Sequence, residues 1–521
     1  MRTEAAALSL LLSIGAASPL AAQELRIGLA IEPTSLDPHF NLMIPDEAIA
    51  RHFYDSLVLQ DDQQRMVPGL AISWRSLDST TWEFRLRPNV HFINGDTFGA
   101  EDVVASLKRA PNVPNSLGGY ALYTKGIAEV ELVDPLTVRI HTRAPDPILP
   151  DELSIVSIVS RRCVNATTEA FDGGAAAIGT GPFRLVHWIK GQEIVMERND
   201  GYWGGKAEWQ RVTDRVITAD AARVAALYAG DVDVIDTVPS SVLGEIEARP
   251  GLAIARVPSS RAIYLHLDSF RERSPFVTDG EGQPLDPNPL RDGRVRAALS
   301  LAIDRIGLVR QILNGAGTPA AQILPQTGFG ASPRLKPDPF DPTAARRLLA
   351  EAGYPQGFRI SLHASSTFSA VDQKVAVAIG GMLERIGIAT DVVALPDPIY
   401  RSRLRNYEFS LTLLGWHSET AEASSWLRAI VATPDPAHAL GYANRGRYSN
   451  PALDDLLGEA ATAMNEEARR KLLERASELA IEDHAVIPLY FADGIWAFRD
   501  DLSYRPRIDL FTLAQNVTGK R

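Results

Sequence analysis

Cysteine is almost absent from this sequence: its 521 residues contain one, Cys163. A single cysteine excludes an intrachain disulfide and any metal or iron–sulfur site that needs several cysteine ligands. A basic surplus is absent as well, because 53 Lys and Arg stand against 64 Asp and Glu, giving a formal net charge of −11. Nucleic acid binding requires a basic surface, so this balance argues against nucleic acid as a partner.

Long apolar runs are also missing after the first residues, so no transmembrane helix and no membrane insertion are predicted. The N-terminus carries a short apolar run, 5–17, followed by small residues up to Ala22. This pattern is typical of a secretory signal peptide, which we predict over 1–22, with a buried N-terminal helix as the alternative. No cysteine follows the run, so the exported protein is expected to lack a lipid anchor.

Enzyme motifs are missing too, including G-x-S-x-G, the Walker A run, HExxH and G-x-G-x-x-G. The ten histidines are scattered, with no pair at metal-ligand spacing. Cys163 follows two arginines that could lower its pKa, but a small, unreactive core residue is the favoured interpretation. The sequence therefore predicts no catalytic residue, no metal site and no cofactor, while a pair of carboxylates of the glycosidase type stays open.

Strand-like and helix-like segments alternate along the chain, which predicts an α/β fold class. Residues 81–87 alternate between apolar and polar, as a half-buried strand does. Asp341 and Pro342 begin a predicted helix that Gly353 ends. A late strand, 486–491, follows a long helical pattern, which indicates that the chain returns to its first half.

Short motifs spread over nearly the whole chain after the signal, in a fixed order. They are EPTSLDP at 32–38, HFYDSL at 52–57, VPGLA at 67–71, WEFRLRPNVHF at 82–92, GTGPF at 179–183, ERNDGYW at 197–203, VRAAL at 295–299, LLAEAGY at 348–354 and Gly415-Trp416. Together they resemble family 5 of the bacterial extracellular solute-binding proteins, the periplasmic receptors of ABC importers for dipeptides, oligopeptides, nickel complexes and opine-like compounds. The glycines of GTGPF are expected to serve a tight turn.

The resemblance implies a two-lobed periplasmic binding protein fold, with two hinge strands, a ligand enclosed between the lobes and an extra subdomain in lobe I. The expected borders are lobe I at 23–264 with the extra subdomain near 56–178, lobe II at 265–486 and a return to lobe I at 487–521. The hinge strands would be 262–266 and 486–490. Closure about these hinges would expel water from around the ligand.

The resemblance also implies part of the ligand site, because peptide-binding relatives hold the ligand's α-ammonium on an acidic residue shortly after the Gly-Trp pair. Glu419 stands at that place, and Trp416 would offer a wall or a stacking face. The alternative for Glu419 is a solvated glutamate on a loop. Lesser candidates are His417, Glu422 and Trp426. The loop after the first strand is also expected to face the cleft, through Leu36, His39, Phe40 and Asn41.

One departure from the family concerns the ligand's carboxylate, which dipeptide-binding relatives hold with an arginine after a strand of lobe II. The corresponding stretch, 365–369, has no arginine and offers Ser366, Thr367 and Phe368 instead. Hydroxyls can serve a sugar, a phosphate or a longer peptide backbone, but they do not replace a bidentate guanidinium. Nickel binding is unsupported, since no histidine cluster is present.

The predicted function is a periplasmic receptor, without a cofactor and monomeric, that passes a small-molecule or peptide ligand to an ABC permease. The ligand stays open between a peptide, an opine-like compound and an amino sugar. Two other functions also stay open, a hydrolase on an α/β scaffold and a module that holds peptides without transport.

Overall fold

The computed structural model describes residues 24–116, 119–366 and 370–520. The predicted signal peptide, Thr367 and Phe368 lie outside the described residues. The strands are β1 Glu24–Leu29, β2 Val58–Gln60, β3 Met66–Pro68, β4 Ala71–Asp78, β5 Thr81–Leu86, β6 Ile127–Asp134, β7 Thr137–Thr142, β8 Phe183–Ile189, β9 Glu193–Arg198, β10 Arg211–Val216, β11 Val234–Ile235, β12 Leu252–Leu267, β13 Val277–Thr278, β14 Gly317–Pro319, β15 Phe358–Ser365, β16 Ile388–Leu395, β17 Leu411–Trp416, β18 Val486–Arg499, β19 Leu502–Tyr504 and β20 Val517–Gly519.

Helices occur between these strands over the whole described chain, which confirms the predicted α/β class. They are α1 Ile44–Phe53, α2 Ala100–Arg109, α3 Ala121–Thr124, α4 Leu149–Ile155, α5 Thr168–Asp172, α6 Asp220–Ala229, α7 Leu243–Glu247, α8 Gly293–Leu301, α9 Arg305–Gly307, α10 Pro342–Glu351, α11 Ala370–Glu384, α12 Asp397–Arg405, α13 Ala423–Trp426, α14 Pro451–Thr462 and α15 Glu466–Glu482. Within the described residues, every helix is too short or too polar to cross a bilayer.

One 12-stranded sheet runs through the molecule in the order β13-β15-β17-β12-β18-β11-β1-β10-β9-β8, with β14 on β18 and β16 on β15. Its two long central strands, β12 and β18, pair antiparallel with a break in register between Pro258 and Ala262. Before the break, 252–258 pair with 493–499, and β18 also pairs with β11 there. After it, 262–267 pair with β17. We call the part that contains β1 and β8–β11 the first half, and the part that contains β13 and β15–β17 the second half.

Hydrophobic packing divides along the same line. Ile487 and Leu489, at the start of β18, pack in a core of the second half that contains Leu265. Trp496 and Phe498, at the end of β18, pack instead in a core of the first half that contains β1. The last strands therefore return to the first half, although the predicted lobe borders and hinge strands stay predictions.

A separate antiparallel sheet, β4-β5-β7-β6, has its own core within the first half. This core extends from Leu57 to Ile158 and includes the fully buried Phe84 and Val138. It lies within the stretch 56–178 that we predict for the extra subdomain. Alternating residues of β5 and β7 supply one apolar face each, as period-two patterning requires.

A side-chain cap fixes where α10 begins. The Asp341 carboxylate accepts hydrogen bonds from the amides of Thr343 at 3.1 Å and Ala344 at 2.8 Å, and α10 then starts at Pro342. Gly353, with φ of 97°, follows the helix in the left-handed region that favours glycine. The predicted beginning and end of this helix are confirmed.

The Gly179-Thr180-Gly181 segment passes directly against the end of α1. A Cβ atom on Gly179 would lie 1.9 Å from the Phe53 carbonyl oxygen, and one on Gly181 would lie 2.5 Å from the Phe53 carbonyl carbon. Neither glycine has positive φ. The expected reason for these glycines, a tight turn, is therefore wrong: they permit close backbone approach, which holds α1 in place.

Candidate ligand-binding site

The loop after β17 lies where the two halves meet, because Trp416 at the end of β17 pairs with Ala262 next to the register break. Phe329 fixes the far side of this loop: its amide donates to the Ala421 carbonyl at 3.0 Å and its carbonyl accepts from the Ala423 amide at 2.9 Å. Ala421 has φ of 53°, a region that disfavours residues with a Cβ atom. The loop is thus held in one conformation by its neighbours.

Hydrogen bonds join this loop to the first half. Gln60 Nε2, on β2, donates to the Glu419 carbonyl at 2.7 Å, and Gln64 Nε2 donates to the Ser418 carbonyl at 2.9 Å. His417 Nδ1 lies 3.1 Å from Ser260 Oγ, which belongs to the register break of β12. Burial lowers the pKa of His417 to about 4, so this ring is neutral at physiological pH.

The Glu419 side chain is half-buried between the two halves. Among the described residues, its carboxylate has no cationic partner, and its one hydrogen bond is to its own backbone amide. Burial raises the pKa of Glu419 to about 7. A carboxylate that is largely removed from water and lacks a positive partner is suited to accept one from a ligand.

Glu47, on α1 of the first half, is a second carboxylate in the same space. It is buried, and its Oε1 atom has no hydrogen-bond partner among the described residues. Burial raises the pKa of Glu47 well above its usual value, and the charge of Glu419 raises it further. The nearby Arg51 opposes this shift but donates its own hydrogen bonds to Ser56 Oγ and the Ser154 carbonyl. Two carboxylates, one from each half, therefore lie close enough for the charge of one to act on the other.

Aromatic side chains lie beside this pair of carboxylates. Tyr123 on α3 is buried, whereas Tyr442 of the second half is 47% exposed. The charge of Glu419 acts on both rings: burial and that charge raise the pKa of Tyr442 to about 12 and hold the pKa of Tyr123 well above its usual value. Trp416 is half-buried, and its indole Nε1 has no partner among the described residues. These rings can pack against an apolar part of a ligand.

Two of the predicted residues on the same loop are buried. Glu422 is 2% exposed and forms an ion pair with Arg469 on α15. Trp426 is 0% exposed and packs in a core of the second half. In this conformation both support the loop from beneath, and their role as ligand contacts stays a prediction.

The predicted residues after β1 are mostly internal. His39 is fully buried; its Nε2 lies 2.8 Å from the Ser157 carbonyl and its Nδ1 lies 3.0 Å from Arg109. Burial lowers the pKa of His39 to about 4. Leu36 is a core residue, and the Asn41 amide donates to Asp46 at 3.2 Å. Of these four residues, Phe40 alone is not buried.

An arginine that the sequence motifs do not indicate, Arg261, lies close to Gly415 and to Asp372 on α11. Burial raises the pKa of Asp372 on α11, and Arg261, in the register break of β12, opposes that shift. A Cβ atom on Gly415 would lie 3.2 Å from Arg261 Nε, so the guanidinium lies over the Gly-Trp pair. Ser366, at the end of β15, is half-buried and donates its amide to the Leu395 carbonyl at 2.8 Å. No local motif connects Arg261 to Gly415, because the pairing of the distant strands β12 and β17 brings them together.

A continuous sheet shared by two halves, with polar residues collected between them, defines a two-lobed binding protein. The chain matches the structure of HbpA2 from Haemophilus parasuis with a TM-score of 0.80 at 25% identity, over 96% of this chain and 100% of that chain. It matches DppA, a periplasmic binding protein of Helicobacter pylori in complex with the peptide STSA, with a TM-score of 0.78 at 23% identity, over 96% and 98%. The predicted two-lobed fold is confirmed.

Sequence comparison identifies the family. The model for bacterial extracellular solute-binding proteins, family 5 Middle, matches residues 65–436. The glutathione-binding protein GsiB of Pectobacterium atrosepticum is 30% identical over 492 residues, which cover 92% of this chain and 89% of that protein. The chain therefore belongs to family 5 of the bacterial extracellular solute-binding proteins. This confirms the predicted solute-binding function in an ABC importer, and the relatives give no support to the hydrolase alternative.

Proposed function

We propose that this protein is a periplasmic receptor that holds a short peptide between its two halves, with the α-ammonium of the peptide on Glu419. The observation that carries the proposal is the Glu419 carboxylate, half-buried at the meeting point of the halves and without a cation among the described residues. The bound peptide would then be passed to an ABC permease.

The physical argument rests on charge compensation. A carboxylate removed from water is destabilised unless a positive group or several donors satisfy it. A ligand ammonium supplies three donors and a full charge, and hydrogen bonds between ionised groups are stronger than neutral ones. Because Glu47 belongs to the first half and Glu419 to the second, a shared ammonium would also draw the halves together.

The other end of the peptide can be assigned as well. Arg261 lies over Gly415 and close to Asp372 at the start of α11, so its guanidinium is our candidate for the ligand's carboxylate. Ser366 and Thr367, with Phe368, remain candidates for the peptide backbone and side chains. Names of relatives support a peptide ligand, since GsiB is described as binding glutathione and DppA was solved with the peptide STSA.

The domain borders and the cellular location form part of the same proposal. We place lobe I at 23–264 and 487–521, its extra subdomain near 56–178 and lobe II at 265–486. The division of the cores supports this except near the border at 487, since Ile487 and Leu489 pack in the core of the second half. Residues 1–22 would direct export and be removed, and the mature protein would be a monomer without a lipid anchor. Uptake of labelled peptide by cells that lack the gene tests delivery to a permease: unchanged uptake would favour a holding module.

Calorimetric titration tests the ammonium site. The probes are Ala-Ala-Ala and its N-acetylated form, and the variants are Glu419→Gln and the control Glu459→Gln, an exposed residue on α14. Loss of the buried charge should weaken binding of the free peptide by about 2–5 kcal/mol. The acetylated peptide should bind poorly to every variant. Equal affinity of wild type and Glu419→Gln for the free peptide would contradict the proposal.

A further inference from the structure

A second group of carboxylates lies between the halves, away from Glu419. Asp146 follows β7, and Asp151 and Glu152 lie in the first turn of α4, so all three belong to the extra subdomain. None of the three has a cationic hydrogen-bond partner among the described residues. Facing them from the second half are Glu422 and Arg469, together with Arg428 on a π-helical turn, Leu427–Val431.

The charge of the buried Glu422 is only partly compensated by its neighbours. One of its oxygens pairs with Arg469, but Oε2 is buried and has no hydrogen-bond partner among the described residues. Its charge reaches the first half, since burial and then Glu422 raise the pKa of Asp151 to about 7. Arg428 acts on Asp146 and Glu152, and Arg469, which is already paired with Glu422, acts on Asp146 and Asp151. Four carboxylates are thus opposed by two arginines.

We infer that Asp146, Asp151, Glu152 and the free oxygen of Glu422 form a second subsite, which holds the amine or guanidinium of a basic side chain. The inference rests on the proposed function and narrows it: the preferred ligand is a short peptide that carries lysine or arginine in addition to its α-ammonium. An anionic peptide such as glutathione would meet repulsion from these carboxylates and is disfavoured.

Tyr123 lies close to both groups of carboxylates. Burial raises its pKa, and the charges of Glu419, Glu47 and Glu152 raise it further. Tyr442 lies beside it and feels both Glu419 and Arg428. A ligand whose ammonium is at Glu419 would therefore have Tyr123 beside it if it extends to the second group of carboxylates.

Matched peptides test the inference by calorimetric titration at pH 7.5. The probes are Lys-Ala-Ala, Ala-Lys-Ala and Ala-Ala-Lys, each with a counterpart in which norleucine replaces lysine and only the charged group is lost. For wild type, at least one lysine peptide should bind about tenfold or more tightly than its counterpart, which corresponds to about 1.4 kcal/mol. In the double variant Asp151→Asn, Glu152→Gln this preference should fall to about twofold or less.

The norleucine peptides serve as the internal control, because they should bind the double variant as they bind wild type if its fold is intact. Equal affinity within every matched pair for wild type would overturn the second subsite while leaving the ammonium proposal standing. Failure of all six peptides to bind would contradict the ammonium proposal itself. Calcium chloride is titrated separately. If wild type binds Ca²⁺ and the double variant does not, the second subsite is a metal site, and the proposal of a basic side chain is overturned.

Discussion

At the scale of single residues, the ligand site combines one position that the sequence predicts and several that it does not. The Gly415-Trp416 pair locates Glu419, because the family resemblance places an acid there. The sequence does not predict that Glu419 lacks a cationic partner or that Glu47 lies near it. Both facts depend on how α1 packs against a loop more than 350 residues away. Likewise, His39 is buried next to the Asp37–Arg109 ion pair, and no local sequence pattern predicts that ion pair.

The pH dependence of binding follows from Glu419. Because burial raises its pKa to about 7, the carboxyl is mostly protonated below that pH and must lose a proton before it can hold an ammonium. Affinity for Ala-Ala-Ala should therefore rise between pH 5.5 and 7.5, by up to about tenfold per pH unit at the acid end. Titration calorimetry across this range checks the slope, with release of a proton on binding.

The variant Glu419→Gln supplies the control for that prediction, since glutamine cannot titrate. Its affinity should be weak and nearly independent of pH over the same range. The same slope in wild type and variant would assign the proton to another group, such as Glu47, whose pKa is also raised by burial.

At the scale of helices and strands, local chemistry predicts individual elements well and their neighbours poorly. Asp341, Pro342 and Gly353 define α10 because capping and backbone freedom are properties of a few adjacent residues. The pairing of β12 with β17 and β18 joins segments far apart in the chain, so only the resemblance suggested it. The close contact of the GTGPF glycines with Phe53 also joins segments far apart in the chain. The motif alone therefore indicates a turn and not this contact.

Close packing at Gly179 can be tested through stability. The variant Gly179→Ala would force a methyl group onto the Phe53 carbonyl, 1.9 Å away, and displace α1. We expect a loss of about 3 kcal/mol or more in the free energy of unfolding. The matched control is Gly244→Ala on α7, where no atom lies within 4 Å of the added Cβ. This control should stabilise the protein by about 0.5 kcal/mol through helix propensity.

Urea unfolding followed by circular dichroism measures both variants. Equal midpoints for Gly179→Ala and wild type would show that α1 and the Gly179-Thr180-Gly181 segment can separate without loss. That result would contradict the conclusion that Gly179 and Gly181 are needed for close approach to the Phe53 backbone.

At the scale of the whole molecule, the paired strands β12 and β18 extend through both halves, and each half has its own hydrophobic core. Composition and periodicity predict α/β layers but not two lobes, because every element is compatible with a single compact domain. The lobes were predicted from the ordered motifs, which a large set of related folds has in common. These motifs do not predict the ligand, because ligand preference depends on charged side chains that come together only between the halves.

Small-angle X-ray scattering with and without ligand tests the central claim most directly. If a peptide ammonium is held between Glu419 and Glu47, binding must bring the halves together, because each supplies one carboxylate. Saturating Ala-Ala-Ala should reduce the radius of gyration of the wild-type protein, while N-acetylated Ala-Ala-Ala at the same concentration should leave it unchanged. Superimposable scattering profiles for the free and peptide-saturated protein would contradict the account.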